Sequence, residues 1–148
     1  MSIYNFAENM YLIELRDDAQ EVDLGSFTKT TTTQLDMVRI FVYLKGSFSN
    51  ESITLYLKNG GNTYSSTFNL SDVTMTTDDW IGWLRFDFGM EFLEDGNTYA
   101  MSAITTNYTR SASKDISISY DFPVIENTQT GGCCYTDYGI KFKLFGGI

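Results

Sequence analysis

The sequence predicts an all-β protein built as two antiparallel sheets that pack into a sandwich. Apolar and polar residues alternate in nine short segments, which is the pattern of strands with one buried face. Aromatic residues make up 16% of the 148 residues, and Thr is abundant; both favour the pleated surface of a sheet. Turn-forming residues separate the segments, as is typical of sandwich folds.

Three strands are predicted near the N-terminus. Residues 11–15 form the first, which ends at the turn-prone residues 16–18. Val22–Thr28 is a second strand, short and interrupted by Gly25. Residues 35–44 form a longer third strand. Its inward side chains are predicted to be Val38, Ile40, Val42 and Leu44.

A hairpin is predicted in the middle of the chain. Residues 52–58 alternate cleanly, with Ile53, Leu55 and Leu57 inward, and residues 63–70 form the returning strand. Between them, residues 59–62 read Asn-Gly-Gly-Asn, which is the strongest turn signal in the chain.

Residues 80–88, Trp-Ile-Gly-Trp-Leu-Arg-Phe-Asp-Phe, give the strongest strand prediction. Because side chains alternate between faces, one set points to the core and the other to water or a partner. The inward set is Trp80, Leu84, Phe86 and Phe88. The outward set is Ile81, Trp83, Arg85 and Asp87.

The remaining strands are predicted at residues 98–105, 115–122 and 136–145, with a long connection at 123–135. No convincing helix is seen, and the best candidate, around residues 90–94, would be at most one turn. The chain shows no linker, repeat or low-complexity tract, so we expect one domain spanning residues 1–148.

Eight to nine antiparallel strands at this spacing predict a sandwich of the jelly-roll type. The pattern resembles the jelly-roll accessory proteins of bacteriophage virions, in which a Trp-to-Phe strand leads through a Leu-x-x-Gly turn into a strand with an inward Tyr. It is similar, more distantly, to carbohydrate-binding modules and galactose-binding-like domains. The resemblance covers roughly residues 35–122. Its motifs are Val38/Ile40/Val42/Leu44, Ile53/Leu55/Leu57, Trp80…Phe86/Phe88 and Leu93-x-x-Gly96-x-x-Tyr99.

Composition excludes several classes of function. The chain has no His, which removes Ser-His-Asp and Cys-His catalysis and most catalytic zinc sites. Its net charge of −9 argues against nucleic-acid binding. No apolar run approaches the roughly 20 residues of a membrane-spanning helix. We therefore expect a non-enzymatic protein with no catalytic residues, no nucleic acid and no membrane among its partners. A glycosidase using two carboxylates is the remaining enzymatic interpretation.

The outward aromatic residues are the one feature that departs from a plain sandwich. Aromatic, Met and Arg side chains are enriched at the centres of protein interfaces. Three interpretations remain open: a surface covered by the chain's own loops or termini, a protein interface, and a platform that stacks on sugars. The candidate interface residues are Met37, Arg39, Phe41, Tyr43, Tyr56, Trp83 and Arg85.

Cofactors are not expected, and calcium is the one cation that remains possible. Oxygen ligands for it are offered by the turn residues Glu94, Asp95 and Asn97, although they match no defined loop motif. The adjacent Cys133 and Cys134 are expected to be free thiols, since a disulfide between neighbours is strained.

The resemblance implies a non-enzymatic structural protein of a phage particle, either a capsid decoration protein or a fibre module. Its expected partners are further copies of itself, in a homo-oligomer, and other virion proteins such as the major capsid or tail protein. No signal peptide is visible, so we expect synthesis in the host cytoplasm and location in the virion. The alternative is a carbohydrate-binding module that recognises glycans through Trp83, Tyr43 and Tyr56.

Overall fold

The computed structural model describes residues 11–17, 19–29, 33–120, 134–135 and 141–145. This part of the chain contains ten strands, one 3-10 turn at Leu70–Asp72 and no α-helix. The strands are β1 (Tyr11–Glu14), β2 (Val22–Thr28), β3 (Thr33–Lys45), β4 (Ser52–Asn59), β5 (Asn62–Asn69), β6 (Asp79–Leu93), β7 (Thr98–Thr106), β8 (Asp115–Tyr120), β9 (Cys134–Tyr135) and β10 (Lys141–Phe145).

The first eight strands pair in a nested order. β4 pairs with β5, β3 with β6, β2 with β7 and β1 with β8, all antiparallel. The chain is therefore a long hairpin rolled into two sheets, ordered β1-β8-β3-β6 and β2-β7-β4-β5. This is the topology of a jelly roll, and it confirms the predicted two-sheet antiparallel sandwich.

Two short strands extend the sheet that contains β3. β6 runs along one edge of β3, whereas the other edge is shared by β8, at residues 42–45, and by β10, at residues 37–40. β9 then pairs with β10, where the sequence predicted only a connection. This sheet has six strands and the opposing sheet has four. Phe122, Cys133 and residues 136–140 lie outside the described residues.

The predicted inward faces form the core. Among the residues named above, Val38, Ile40, Val42, Leu44, Ile53, Leu55, Leu57, Leu84, Phe86 and Phe88 are all buried. Trp80 is half-buried and packs against this core. Its indole lies over Gly82, where an added Cβ would come within 2.7 Å of the ring. Glycine is therefore required beside Trp80 so that the ring can fold back over its own strand.

The segment around residues 90–94, the best helical candidate in the sequence, is the end of a strand, in agreement with the predicted all-β fold. β6 continues to Leu93, and its end pairs with the start of β3 through Thr33↔Leu93 and Gln34↔Phe92. The register shifts between Leu35 and Met37, because residues 88–90 bulge opposite a single residue of β3. A bulge interrupts the alternation of period two, which is why this segment did not look like a strand in the sequence.

The Leu93-x-x-Gly96-x-x-Tyr99 motif is a tight corner between β6 and β7. Leu93 and Tyr99 are buried, and Gly96 has φ of +84°, a backbone conformation that favours glycine. The Glu94 N–H donates to the Tyr99 hydroxyl at 2.9 Å. The tyrosine thus fixes the backbone that enters the turn.

Replacing Tyr99 with Phe should lower the free energy of unfolding by roughly 1–3 kcal/mol, because the Glu94 N–H loses its acceptor while the ring still fills the core. Urea denaturation followed by intrinsic fluorescence measures the loss. Ser65→Ala, at an exposed position on β5, is the control and should change stability by less than about 0.5 kcal/mol. Equal stability of Tyr99→Phe and wild type would mean that the hydroxyl does not hold the corner.

Candidate functional site: the outer face of the six-stranded sheet

Six of the seven candidate interface residues lie on one surface. β3 carries four of them on its outward face, and β6 carries two on the neighbouring strand. We call this surface the aromatic face. Its residues are Met37, Arg39, Phe41, Tyr43, Trp83 and Arg85.

An aromatic pair forms the centre of the aromatic face. Phe41 and Trp83 are direct cross-strand partners, and their ring centroids lie 5.2 Å apart at an interplanar angle of 54°. Tilted pairs at this distance are favourable. Both side chains are half-buried. Within the described part of the chain, the one large hydrophobic side chain that is mostly exposed is Phe92.

Basic residues occupy the adjacent position across three strands. Arg39 pairs with Arg85 on β6 and, on its other side, with Lys143 on β10. Arg39 and Arg85 place like charges opposite each other, which destabilises a sheet, and a carboxylate beside Arg85 offsets part of this repulsion. The Arg85 Nε donates to Asp87 Oδ1 at 2.7 Å. Both side chains of this ion pair are more than half exposed, so it contributes less than about 1 kcal/mol.

Tyr43 is held at the end of the aromatic face by acidic neighbours. Its hydroxyl donates to Asp79 Oδ1 at 2.9 Å. Burial, this hydrogen bond and the charges of Asp79 and Asp115 raise the pKa of Tyr43 to about 12, so the phenol keeps its proton for Asp79 even in moderately alkaline solution. On the neighbouring strand, Asp115 accepts a hydrogen bond from Ser117. Tyr43 is therefore oriented rather than free to rotate.

Tyr56 does not belong to the aromatic face. It lies on β4, on the outer face of the four-stranded sheet, where the Lys58 ammonium sits 5.1 Å from its ring centroid. Lys58 also forms an ion pair with Glu21 at 2.7 Å, and the Ser102 hydroxyl donates to the same carboxylate. These two hydrogen bonds lower the pKa of Glu21. A single platform built from Trp83, Tyr43 and Tyr56 is therefore not formed.

The turn that could offer ligands to calcium is organised by backbone hydrogen bonds. The Asn97 N–H donates to the Glu94 carbonyl at 3.2 Å, and the Gly96 N–H donates to the Lys29 carbonyl at 2.9 Å. Glu94 and Asp95 are exposed. In the described ranges there is no group of three or more acidic, His or Cys residues placed to hold a metal ion.

Comparison of the chain with protein-family models, with curated proteins and with solved structures gave no match. A search of the described residues for a helix long and apolar enough to cross a membrane found none. The class of the protein is therefore defined by its fold, an antiparallel jelly-roll sandwich with an aromatic and basic outer face on one sheet.

Proposed function

We propose that this chain is a non-enzymatic structural protein of a virus particle, a capsid decoration or fibre module, that acts through protein contacts made by the aromatic face. The observation that carries the proposal is the Phe41–Trp83 ring pair, set beside the paired Arg39 and Arg85 on a sheet surface. Aromatic and Arg side chains are the usual anchors of interface energy.

The contrast between the two outer faces supports this proposal. Apart from Tyr56 and Lys58, the four-stranded sheet presents small hydroxyl side chains that bond to each other, as in Thr28 with Thr98 and Thr54 with Thr67. Such pairs satisfy their own hydrogen bonds and give a partner little to bind. The aromatic face instead carries rings and guanidinium groups on two paired strands, β3 and β6. It is the surface better suited to a protein partner.

The composition of the chain also supports a structural role. Jelly rolls host many functions, so function must be argued from the surface rather than the topology. With no His in the chain, Ser-His-Asp and Cys-His systems and imidazole general bases cannot be assembled. Contacts with further copies of the chain or with a major capsid or tail protein remain the activity that this surface can provide.

Replacing Trp83 with Ala should weaken association with the particle, or between copies, by about 2 kcal/mol or more, which is roughly 30-fold in affinity. Sedimentation of the purified chain, alone and with particle shells that lack it, measures the change. Tyr56→Ala is the matched control, since this ring is also half-buried but lies on the opposite sheet. A wild-type chain that stays monomeric and never binds the shells would contradict the proposal.

A further inference from the structure

A groove lies at the open side of the sandwich, and neither Phe41 nor Trp83 lines it. β5 ends the four-stranded sheet and β6 pairs with β3 alone among the described strands, so the groove runs between two sheet edges. Its volume is about 410 Å³. That volume falls within the range of roughly 300–1,000 Å³ that small-ligand sites occupy.

The groove has an aromatic floor. Phe68 lines it, half-buried, and the Phe68 ring centroid lies 6.1 Å from that of the buried Phe86. The floor is therefore anchored in the core, and one ring surface can receive the apolar face of a ligand.

Two polar side chains that make no hydrogen bond or ion pair with the described residues line one wall of the groove. Asn69 occupies the N-cap position of the 3-10 turn, where Asn normally accepts a hydrogen bond from the turn, but it makes no side-chain cap hydrogen bond. Asp72, at the end of the same turn, is also exposed. Within the described part of the chain, neither side chain has a hydrogen bond or an ion pair. Both line the groove.

The opposite wall carries the Arg85–Asp87 ion pair. The charges on the two walls together determine which charge a ligand can carry. Two carboxylates against one guanidinium leave the walls of the groove with a net negative charge, which disfavours an anion. The walls offer an amide that donates and accepts, carboxylates that accept and a guanidinium that donates. A neutral ligand rich in hydroxyl groups, each of which donates and accepts, matches this set.

An added polypeptide strand fits the groove less well. Charged side chains and bulges on an edge strand oppose pairing with another chain. β6 has both, with Arg85 and Asp87 on its edge and the bulge at residues 88–90 directly after them.

We propose that this groove binds a neutral carbohydrate of one or two sugar rings, with one sugar face on Phe68 and its hydroxyls on Asn69, Asp72 and Asp87. The groove shares Arg85 with the aromatic face, but the proposed sugar contacts are made by Phe68, Asn69, Asp72 and Asp87, so the site does not depend on the proposed function.

The test is an array of neutral and acidic oligosaccharides probed with the full chain, followed by calorimetric titration of those bound. A neutral oligosaccharide should bind, and the double variant Asn69→Ala/Asp72→Ala should lose at least about tenfold in affinity. Ser71→Ala is the matched control, because Ser71 lies exposed in the same 3-10 turn without lining the groove; its affinity should stay within about twofold of wild type. Thermal unfolding verifies that all variants fold.

Three results would overturn the site: no bound oligosaccharide, preference for acidic oligosaccharides, or unchanged affinity in the double variant. Binding lost in Trp83→Ala but kept in the double variant would place sugar on the aromatic face instead. The double variant should still associate with particle shells as wild type does, so failure of the groove and failure of the interface are read separately.

Discussion

Replacing Phe86 with Ala is expected to lower the free energy of unfolding by roughly 3–5 kcal/mol. Phe86 is 2% exposed, pairs with the buried Val38 and contacts the ring of Phe68 from the opposite sheet. Its removal deletes the buried ring and leaves a cavity between the two sheets. Urea denaturation of the purified variant measures the loss.

Trp83→Ala is the matched control on the same strand. Trp83 points to the outer face, where its loss removes the contact with Phe41 but leaves the core filled. We expect it to cost no more than about 1 kcal/mol. If the two variants unfold at the same urea concentration, the outer ring serves the fold of this chain, and the interface proposed for the aromatic face is wrong.

Replacing Glu51 with Ala is expected to cost about 2–4 kcal/mol. The Glu51 carboxylate is almost fully buried, forms an ion pair with Lys114, and accepts hydrogen bonds from the N–H groups of Ser49 and Asn50. The variant leaves these groups without their partner. Breaking a buried pair typically costs about 3–5 kcal/mol. The Lys114 side chain is 29% exposed and can regain water, which places the expected loss lower.

The same carboxylate makes stability depend on pH. Burial alone would raise the pKa of Glu51, but the hydrogen bonds from Lys114 and the Ser49 N–H outweigh it and lower the pKa. The stability that Glu51 contributes is therefore full above its ordinary pKa and is lost as pH falls through the lowered value. Glu51→Gln keeps the acceptor for Ser49 but removes the charge. Denaturation across the range from neutral to strongly acidic pH should show the wild-type advantage over this variant shrinking with acid; a constant advantage would contradict the ion-pair explanation.

Strand faces could be predicted from the sequence because alternation is a local property. The inward set of β6, for example, needs only the spacing of Leu84, Phe86 and Phe88, and all three are buried. The outward placement of Phe41 and Trp83 follows from the same rule. Their contact across β3 and β6 does not, since it depends on the register of two strands that lie about forty residues apart.

Three features could not be predicted from local sequence patterns. Alternation predicts that Tyr56 points outward, but it does not predict which of the two sheets contains the strand. Tyr56 lies on the four-stranded sheet, whereas Trp83 lies on the six-stranded sheet. The bulge at residues 88–90 breaks the period of two, so the sequence predicted that this strand ends at residue 88 although β6 continues to Leu93. The buried Glu51–Lys114 pair joins two loops distant in sequence, and charged residues in loops ordinarily indicate exposure.

The nested pairing of the strands also determines when each sheet can form. β3 is followed by all of its partners, and the first of them, β6, begins at Asp79. During synthesis, β3 therefore emerges before any of its partner strands, whereas β4 and β5 can pair as soon as both have been made. The outermost of the nested pairs, β1 with β8, joins Tyr11 to Tyr120, which lie 109 positions apart in the sequence. Because the entropy cost of closing a loop grows with its length, we expect the strand pairs to form from the central hairpin outward and the two ends to pair last.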